Sequence, residues 1–360
     1  MEALFTFEKP WEQVEKEFRE YELKMAGAEE RMELVKEDTV ITSLEQWLHK
    51  TSYAKFRKII EKRVMGQKNL GLFLLIVYRY IATVVADGEF PSGIVLAAPS
   101  GCGKTETYRA LRDYFRKTVP EFGNVITQID AASLTPNGYK GTDISTITEA
   151  MEEHETGGIG IVFLDEFDKV LMPLGSSGED LHSNVVHELL TLIEGKTEGE
   201  IDTGKTLFVC AGAFDMCRRN RKDESKGIGF ITNTDAEDSS HYSPITKEDI
   251  LSLSAASHEL VGRMSMLINY EPLDYVAVDK IIDATVGKVS SICGMKLKIS
   301  DSMRDVLHKI SNTEYGCRLF YNTIMEEAIK ALTDMYEKNK ALKCKQLILQ
   351  DIGQYEISKD

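Results

Sequence analysis

Residues 98 to 105 read Ala-Pro-Ser-Gly-Cys-Gly-Lys-Thr, a glycine-rich loop that ends in Gly103-Lys104-Thr105 directly after an apolar stretch, Gly93 to Ala97. A strand feeding such a loop, with a helix leaving it, fits few architectures other than a parallel α/β sheet with an anion at the C-terminal end of its strands. Each residue type has a task there. Backbone N–H groups of the tight turn from Pro99 through Ser100, Gly101, Cys102 and Gly103 can surround phosphate oxygens, with Glu106 following in the first helical turn. Lys104 can reach the β- and γ-phosphates, and the Thr105 hydroxyl can hold Mg²⁺. Taken alone, the loop could be an ordinary connection before a helix.

A second segment makes the reading specific. Ile159-Gly160-Ile161-Val162-Phe163-Leu164 is an unbroken apolar run after Gly157-Gly158, as expected of a strand buried on both faces, and it ends in Asp165-Glu166. Two adjacent carboxylates beside a phosphate loop suit ATP hydrolysis: successive strand residues point to opposite faces, so Asp165 can serve Mg²⁺ while Glu166 orients or activates water. A kinase would not need the second carboxylate.

At 360 residues the chain exceeds one comfortable core, so two domains with an appendage are expected. A formal charge of -15 argues against a protein that tracks nucleic acid, because that binding neutralises phosphates with Lys and Arg. The six cysteines are scattered with no C-x-x-C pair, which favours reduced thiols and no structural zinc. Leu70 to Ala86 is apolar but short for a membrane span and carries Arg79, so a buried helix is the better reading. The acidic first residues lack a basic export signal. A cytoplasmic protein follows as the expectation.

From Pro10 onward, Trp11, Val14, Phe18, Tyr21, Met25, Ala28, Met32 and Val35 recur at helical spacing, which predicts an amphipathic helix with one apolar seam, packed on its own chain or on a coiled-coil or adaptor partner. Further helices are expected at Ser43 to Lys50, Phe56 to Lys62, Leu70 to Ala86, Thr105 to Lys117, Thr142 to His154 and Asn184 to Glu194. Strands are expected at Gly93 to Ala97, Asn124 to Asp130, Ile159 to Leu164 and Thr206 to Ala211. Beyond Pro272 the strand signal gives way to helical periodicity at Tyr275 to Gly287, Ser300 to Ile310 and Leu319 to Lys338. The expected division is an acidic helical extension over 1–55, an α/β ATPase domain over 56–272, a small helical domain over 273–348 and a tail over 349–360.

The ordered series of motifs resembles ClpX, a hexameric AAA+ unfoldase, and more distantly HslU, from about Phe56 to Leu342. Val64-Met65-Gly66-Gln67 is similar to the family's adenine-pocket segment, and Gly138-Tyr139-Lys140-Gly141 to its pore loop. Phe167-Asp168-Lys169, Leu192-Ile193-Glu194-Gly195 and Gly212-Ala213-Phe214 extend the match. The resemblance implies a large AAA+ P-loop domain, a parallel sheet covered by helices, followed by a small, mainly α-helical domain. It implies Arg263 as the arginine reaching a neighbouring subunit's γ-phosphate, Arg318 as the sensor-2 arginine, and Tyr139 with Lys140 as substrate-contacting pore residues. Ile228-Gly229-Phe230 matches the loop by which ClpX docks on the ClpP peptidase.

Departures from the family accompany these matches. Ala98 replaces the first loop glycine, Lys140 replaces an apolar residue, the gate segment between Lys196 and Lys205 is short, and the acidic segment 1–55 stands where the family has a zinc-binding domain. The implied function is a homo-oligomeric cytoplasmic engine, with no membrane partner, that uses ATP and Mg²⁺ to pull protein substrates through a pore, with a ClpP-like peptidase as a candidate partner. A remodelling chaperone without a peptidase and a DNA-associated AAA+ switch or loader stand as alternatives. Sensor 1 has no obvious polar candidate near Gly212.

Overall fold

The computed structural model describes residues 39–88, 90, 93–135, 142–172, 181–195, 197–198, 201–217, 242–313, 315–338 and 346–358. The seam from Trp11 to Val35, the Tyr139-Lys140 pair and Ile228-Gly229-Phe230 lie outside the described residues.

Five strands form the central sheet: β1 Gly93–Ala97, β2 Ile126–Asp130, β3 Gly160–Asp165, β4 Thr206–Gly212 and β5 Met264–Asn269. Their spatial order is β2-β3-β4-β1-β5, and every pairing is parallel. All residues of β1 and β4 are buried, as are the first five of β3, which explains why these strands read as continuous apolar runs. Helices flank the sheet, giving the expected AAA+ α/β fold. The chain runs outward from β1 to the β2 edge and then returns, so β4 separates the loop-bearing β1 from the carboxylate-bearing β3. Ligands in such open sheets bind outside the carboxyl ends of the strands near this reversal of order.

Strand β5 had no counterpart among the expected strands. It follows the helix His258–Arg263 without an intervening Gly or Pro and occupies the sheet edge, where four of its six residues are only partly buried. Neither punctuation nor a buried apolar run announces it.

The boundary expected at residue 55 requires correction. A helix over residues 39–50 belongs to the large core, with Val40, Leu44 and Trp47 buried. The Trp47 ring contacts Phe56, Tyr78, Tyr114 and Phe115, and its indole N–H donates to the Tyr114 hydroxyl at 2.9 Å. Such a ring buries a large apolar area while its one polar group finds a partner. The helix Leu70–Val85 is buried along Phe73, Leu74, Ile76, Val77, Tyr80 and Ile81, and no helix among the described residues is long and apolar enough to cross a membrane.

The small domain has its own core around Val278, Ile282, Leu307, Phe320, Ile324 and Met335. Its helices are Tyr275–Cys293, Asp301–Ser311 and Leu319–Glu337. It is not free of strands, and residues 349 to 358 are not a loose tail: β6 Lys296–Ile299 pairs parallel to β7 Gln346–Asp351, which pairs antiparallel to β8 Gln354–Ser358. Leu347 and Leu349 alternate inward, and Gly353, at φ +73°, makes the tight turn between β7 and β8.

Candidate nucleotide site

The phosphate loop owes its shape to two glycines in the left-handed region, Gly101 at φ +75° and Gly103 at φ +96°. Gly103 caps the helix Lys104–Thr118, so the loop's amides and the first helical turn converge on one point. A side chain at Gly103 would meet only a Val64 methyl, 3.7 Å away, so the loop is an open backbone cradle. From the next strand, the Gly212 carbonyl accepts the Ala98 N–H at 3.0 Å. These features fit a bound polyphosphate.

Lys104 is buried, and its ammonium donates to the carbonyls of Ala98 at 2.6 Å and Pro99 at 3.3 Å. Burial lowers its pKa below the ordinary lysine value; Asp165 and Asp168 oppose that shift, and the positive charge of Arg318 adds to it. A buried cation that has carbonyl dipoles as its hydrogen-bonding partners is matched to an incoming anion. The backbone of Gly316 and Cys317 lies against Gly101, which sets the exposed Arg318 of the small domain beside the loop. Thr105 is half-buried at the helix start. Glu106 turns instead toward Arg63, which also binds Asp113 at 2.7 Å, so its carboxylate is part of a surface ion network.

The two carboxylates sit at the expected end of β3, but strand alternation is not what separates them. Asp165 is the last residue of β3, and Glu166 lies beyond it at φ +55°, left-handed and exposed, preceding the short helix Phe167–Val170. A non-glycine residue held there carries backbone strain, of a kind that clusters at functional sites. Asp165 accepts the Glu166 N–H at 3.0 Å and the Gln128 amide at 2.6 Å, so both of its oxygens are oriented by the protein.

Two residues of this site were given no role by the sequence reading. Gln128 lies on β2, where the register sets Asp130 opposite Asp165, and only strand pairing reveals that its side chain meets that carboxylate. Asp168 is buried and accepts the N–H groups of Ala213 at 3.3 Å and Phe214 at 3.0 Å. It thereby pins the turn after β4, where Phe214 has φ +54°. The match of Phe167-Asp168-Lys169 to the family had marked Asp168 without giving it a role.

Val64, Met65, Gly66 and Gln67 lie between the loop and the small domain. Val64 and Gln67 are buried, and a Cβ on Gly66 would fall 2.2 Å from that of Ala277. Arg263 stands elsewhere. It ends the helix His258–Arg263 immediately before β5, and its carbonyl lies 3.0 Å from where a Gly93 Cβ would be. That is the N-terminal end of β1, about 13 Å of strand away from the end that carries the loop. The Arg263 guanidinium is half exposed and pairs with Glu194 at 2.8 Å.

Residues 91–266 match the family model for the AAA domain (Cdc48 subfamily). The chain is 26% identical over 323 residues to the ATP-dependent Clp protease ATP-binding subunit ClpX of Porphyromonas gingivalis, covering 76% of each chain. A ClpX 2 subunit of Wolinella succinogenes is 29% identical over 273 residues, 67% of this chain and 65% of its own. ClpX of Bacteroides thetaiotaomicron is 25% identical over 313 residues, 73% of this chain and 72% of its own.

Proposed function

We propose that the chain is a ClpX-type AAA+ ATPase, as its AAA domain match and its ClpX relatives support, and that it works as a ring of identical cytoplasmic subunits, six by family resemblance, that pulls polypeptide through a central pore. One observation carries the ring. Arg263 lies at the opposite end of β1 from the phosphate loop, so its exposed guanidinium cannot serve the nucleotide of its own subunit, whereas Arg318 lies close to that loop. An arginine so placed suits a neighbour's site, where a contact in trans is worth roughly 10³ to 10⁵ in rate in other NTPases.

Within each site, Lys104 and the loop amides hold the phosphates, Val64 to Gln67 flank the base, and Thr105 with Asp165 supplies oxygen ligands for Mg²⁺. Bound Mg²⁺ and ATP provide a polarised phosphoryl group for hydrolysis. Glu166 orients the attacking water. Arg318 on the small domain and Arg263 of the adjacent subunit converge on the transferred group, so hydrolysis changes both the domain angle and the subunit interface. Tyr139 and Lys140 grip the substrate, and Ile228 with Phe230 flanking Gly229 docks a ClpP-like peptidase, in keeping with relatives named as subunits of an ATP-dependent protease.

ATP-dependent unfolding of a tagged fluorescent protein tests this reading, with and without a ClpP-like ring. Wild type is expected to unfold the substrate and Tyr139→Ala to hydrolyse ATP without unfolding it. Unfolding without degradation identifies a peptidase-independent remodeller; hydrolysis with no unfolding of any substrate removes the translocase reading.

A further inference from the structure

Gln67 is buried beside the phosphate loop, and its side chain joins two distant stretches of backbone. Its amide nitrogen donates to the carbonyl of Cys102, in the loop, and to the carbonyl of Glu271, each at 2.9 Å. Glu271 lies in the short connection from β5 to the helix Tyr275–Cys293, the only described passage of the chain from the sheet into the small domain. The side-chain oxygen is buried with no hydrogen-bond partner among the described residues. A buried acceptor without a donor is unfavourable, and an apolar side chain of the same length would avoid it. What glutamine offers here that methionine does not is the pair of donated bonds.

The neighbours of Gln67 brace the same joint. Gly66, at φ +80°, has no room for a side chain against Ala277, and Lys68 pairs with Glu271 at 2.8 Å. The loop also touches the small domain directly, since Gly101 and Gly316 are in backbone contact. That second contact is van der Waals in character and can slide; the Gln67 bonds are directional.

We propose that Gln67 is a positioning residue that locks the phosphate loop to the interdomain connection, so that movement of the loop during ATP binding and hydrolysis turns the small domain. The inference rests on the ATPase site and is independent of whether the motion threads a polypeptide. Loop position and small-domain orientation become one variable, which is what coupling between a site and a moving element requires.

The test compares wild type with Gln67→Met and Gln67→Glu, which keep the side-chain length and remove both donors. Fluorescent-nucleotide binding, steady-state hydrolysis and energy transfer between dyes at positions 117 and 337 are measured on the full chain. Expected for both variants, at nucleotide concentrations that the binding measurement shows to saturate each, is a kcat reduced at least tenfold and loss of the ATP-dependent change in energy transfer. A kcat within twofold of wild type together with an unaltered energy-transfer change overturns the proposal. Should Gln67→Met fail to fold, the same split is read from Gln67→Glu. Absence of hydrolysis in wild type would sink the ATPase reading instead, which keeps the two failures distinct.

Discussion

Gly101 of the phosphate loop and Gly316 of the small domain meet backbone to backbone: a Cβ on Gly101 would fall 2.9 Å from the Gly316 Cα, and one on Gly316 would fall 3.1 Å from the Gly101 Cα. Both have positive φ, +75° and +54°. No other residue type fits either position without displacing the small domain, so the loop and the Gly316-Cys317-Arg318 turn are built to touch.

Gly316→Ala is therefore expected to weaken nucleotide binding. A left-handed alanine costs about 1–2 kcal/mol, and retreat of the turn would relieve the contact while carrying Arg318 away from Lys104. Affinity for a fluorescent ATP analogue is expected to fall about tenfold, the equivalent of ~1.4 kcal/mol. Unchanged affinity would mean that the contact is incidental.

Glu166→Gln and Arg263→Ala are each expected to abolish turnover while retaining ATP. Mixed before assembly, the two inactive variants should recover activity wherever an intact Glu166 meets a neighbour's intact Arg263. If Arg263 acted within its own subunit, or only paired with Glu194, mixing would recover nothing. Steady-state hydrolysis across a series of mixing ratios distinguishes these cases.

Gln128→Met leaves the fold of β2 intact and removes the donor to Asp165. Residues that orient a metal-binding group typically matter by 10- to 100-fold, so a roughly tenfold rise in the Mg²⁺ concentration needed for half-maximal hydrolysis is expected. Titration of Mg²⁺ at saturating ATP checks it. An unchanged requirement would show that Asp165 is held well enough by its own turn.

Trp47→Ala is expected to destabilise the large domain by about 3–5 kcal/mol, as for other buried aromatic truncations. Denaturant unfolding measures it. A loss under ~1 kcal/mol would place the helix over residues 39–50 outside the cooperative core.

Where a residue's role depends on its near neighbours in the chain, the sequence was legible. Gly101, Gly103 and Lys104 act through a local turn and the helix they start, and β1, β3 and β4 are buried on both faces, so their apolar runs stand out. Trp47 was assigned to an extension because its partners, Phe56, Tyr78, Tyr114 and Phe115, come from three later elements. Strand β7 was passed over because a short half-buried strand carries little periodic signal, and Glu166 was given a strand's geometry although it is itself left-handed and lies past the strand's last residue, Asp165.

By itself, then, the order of residues set out the candidate nucleotide site: a glycine turn, a lysine, a hydroxyl and two carboxylates are defined by type and spacing, and local backbone preference suffices to present them. Tertiary structure decided where distant groups stand relative to that site. The register of β2 on β3 brings Gln128 to Asp165, the docking of the small domain brings Gly316 and Arg318 to the loop, and the length of β1 sets Arg263 at the far end of the sheet. Hydrogen bonds and packing between remote segments form only once the sheet has ordered its strands, and no local preference encodes that order.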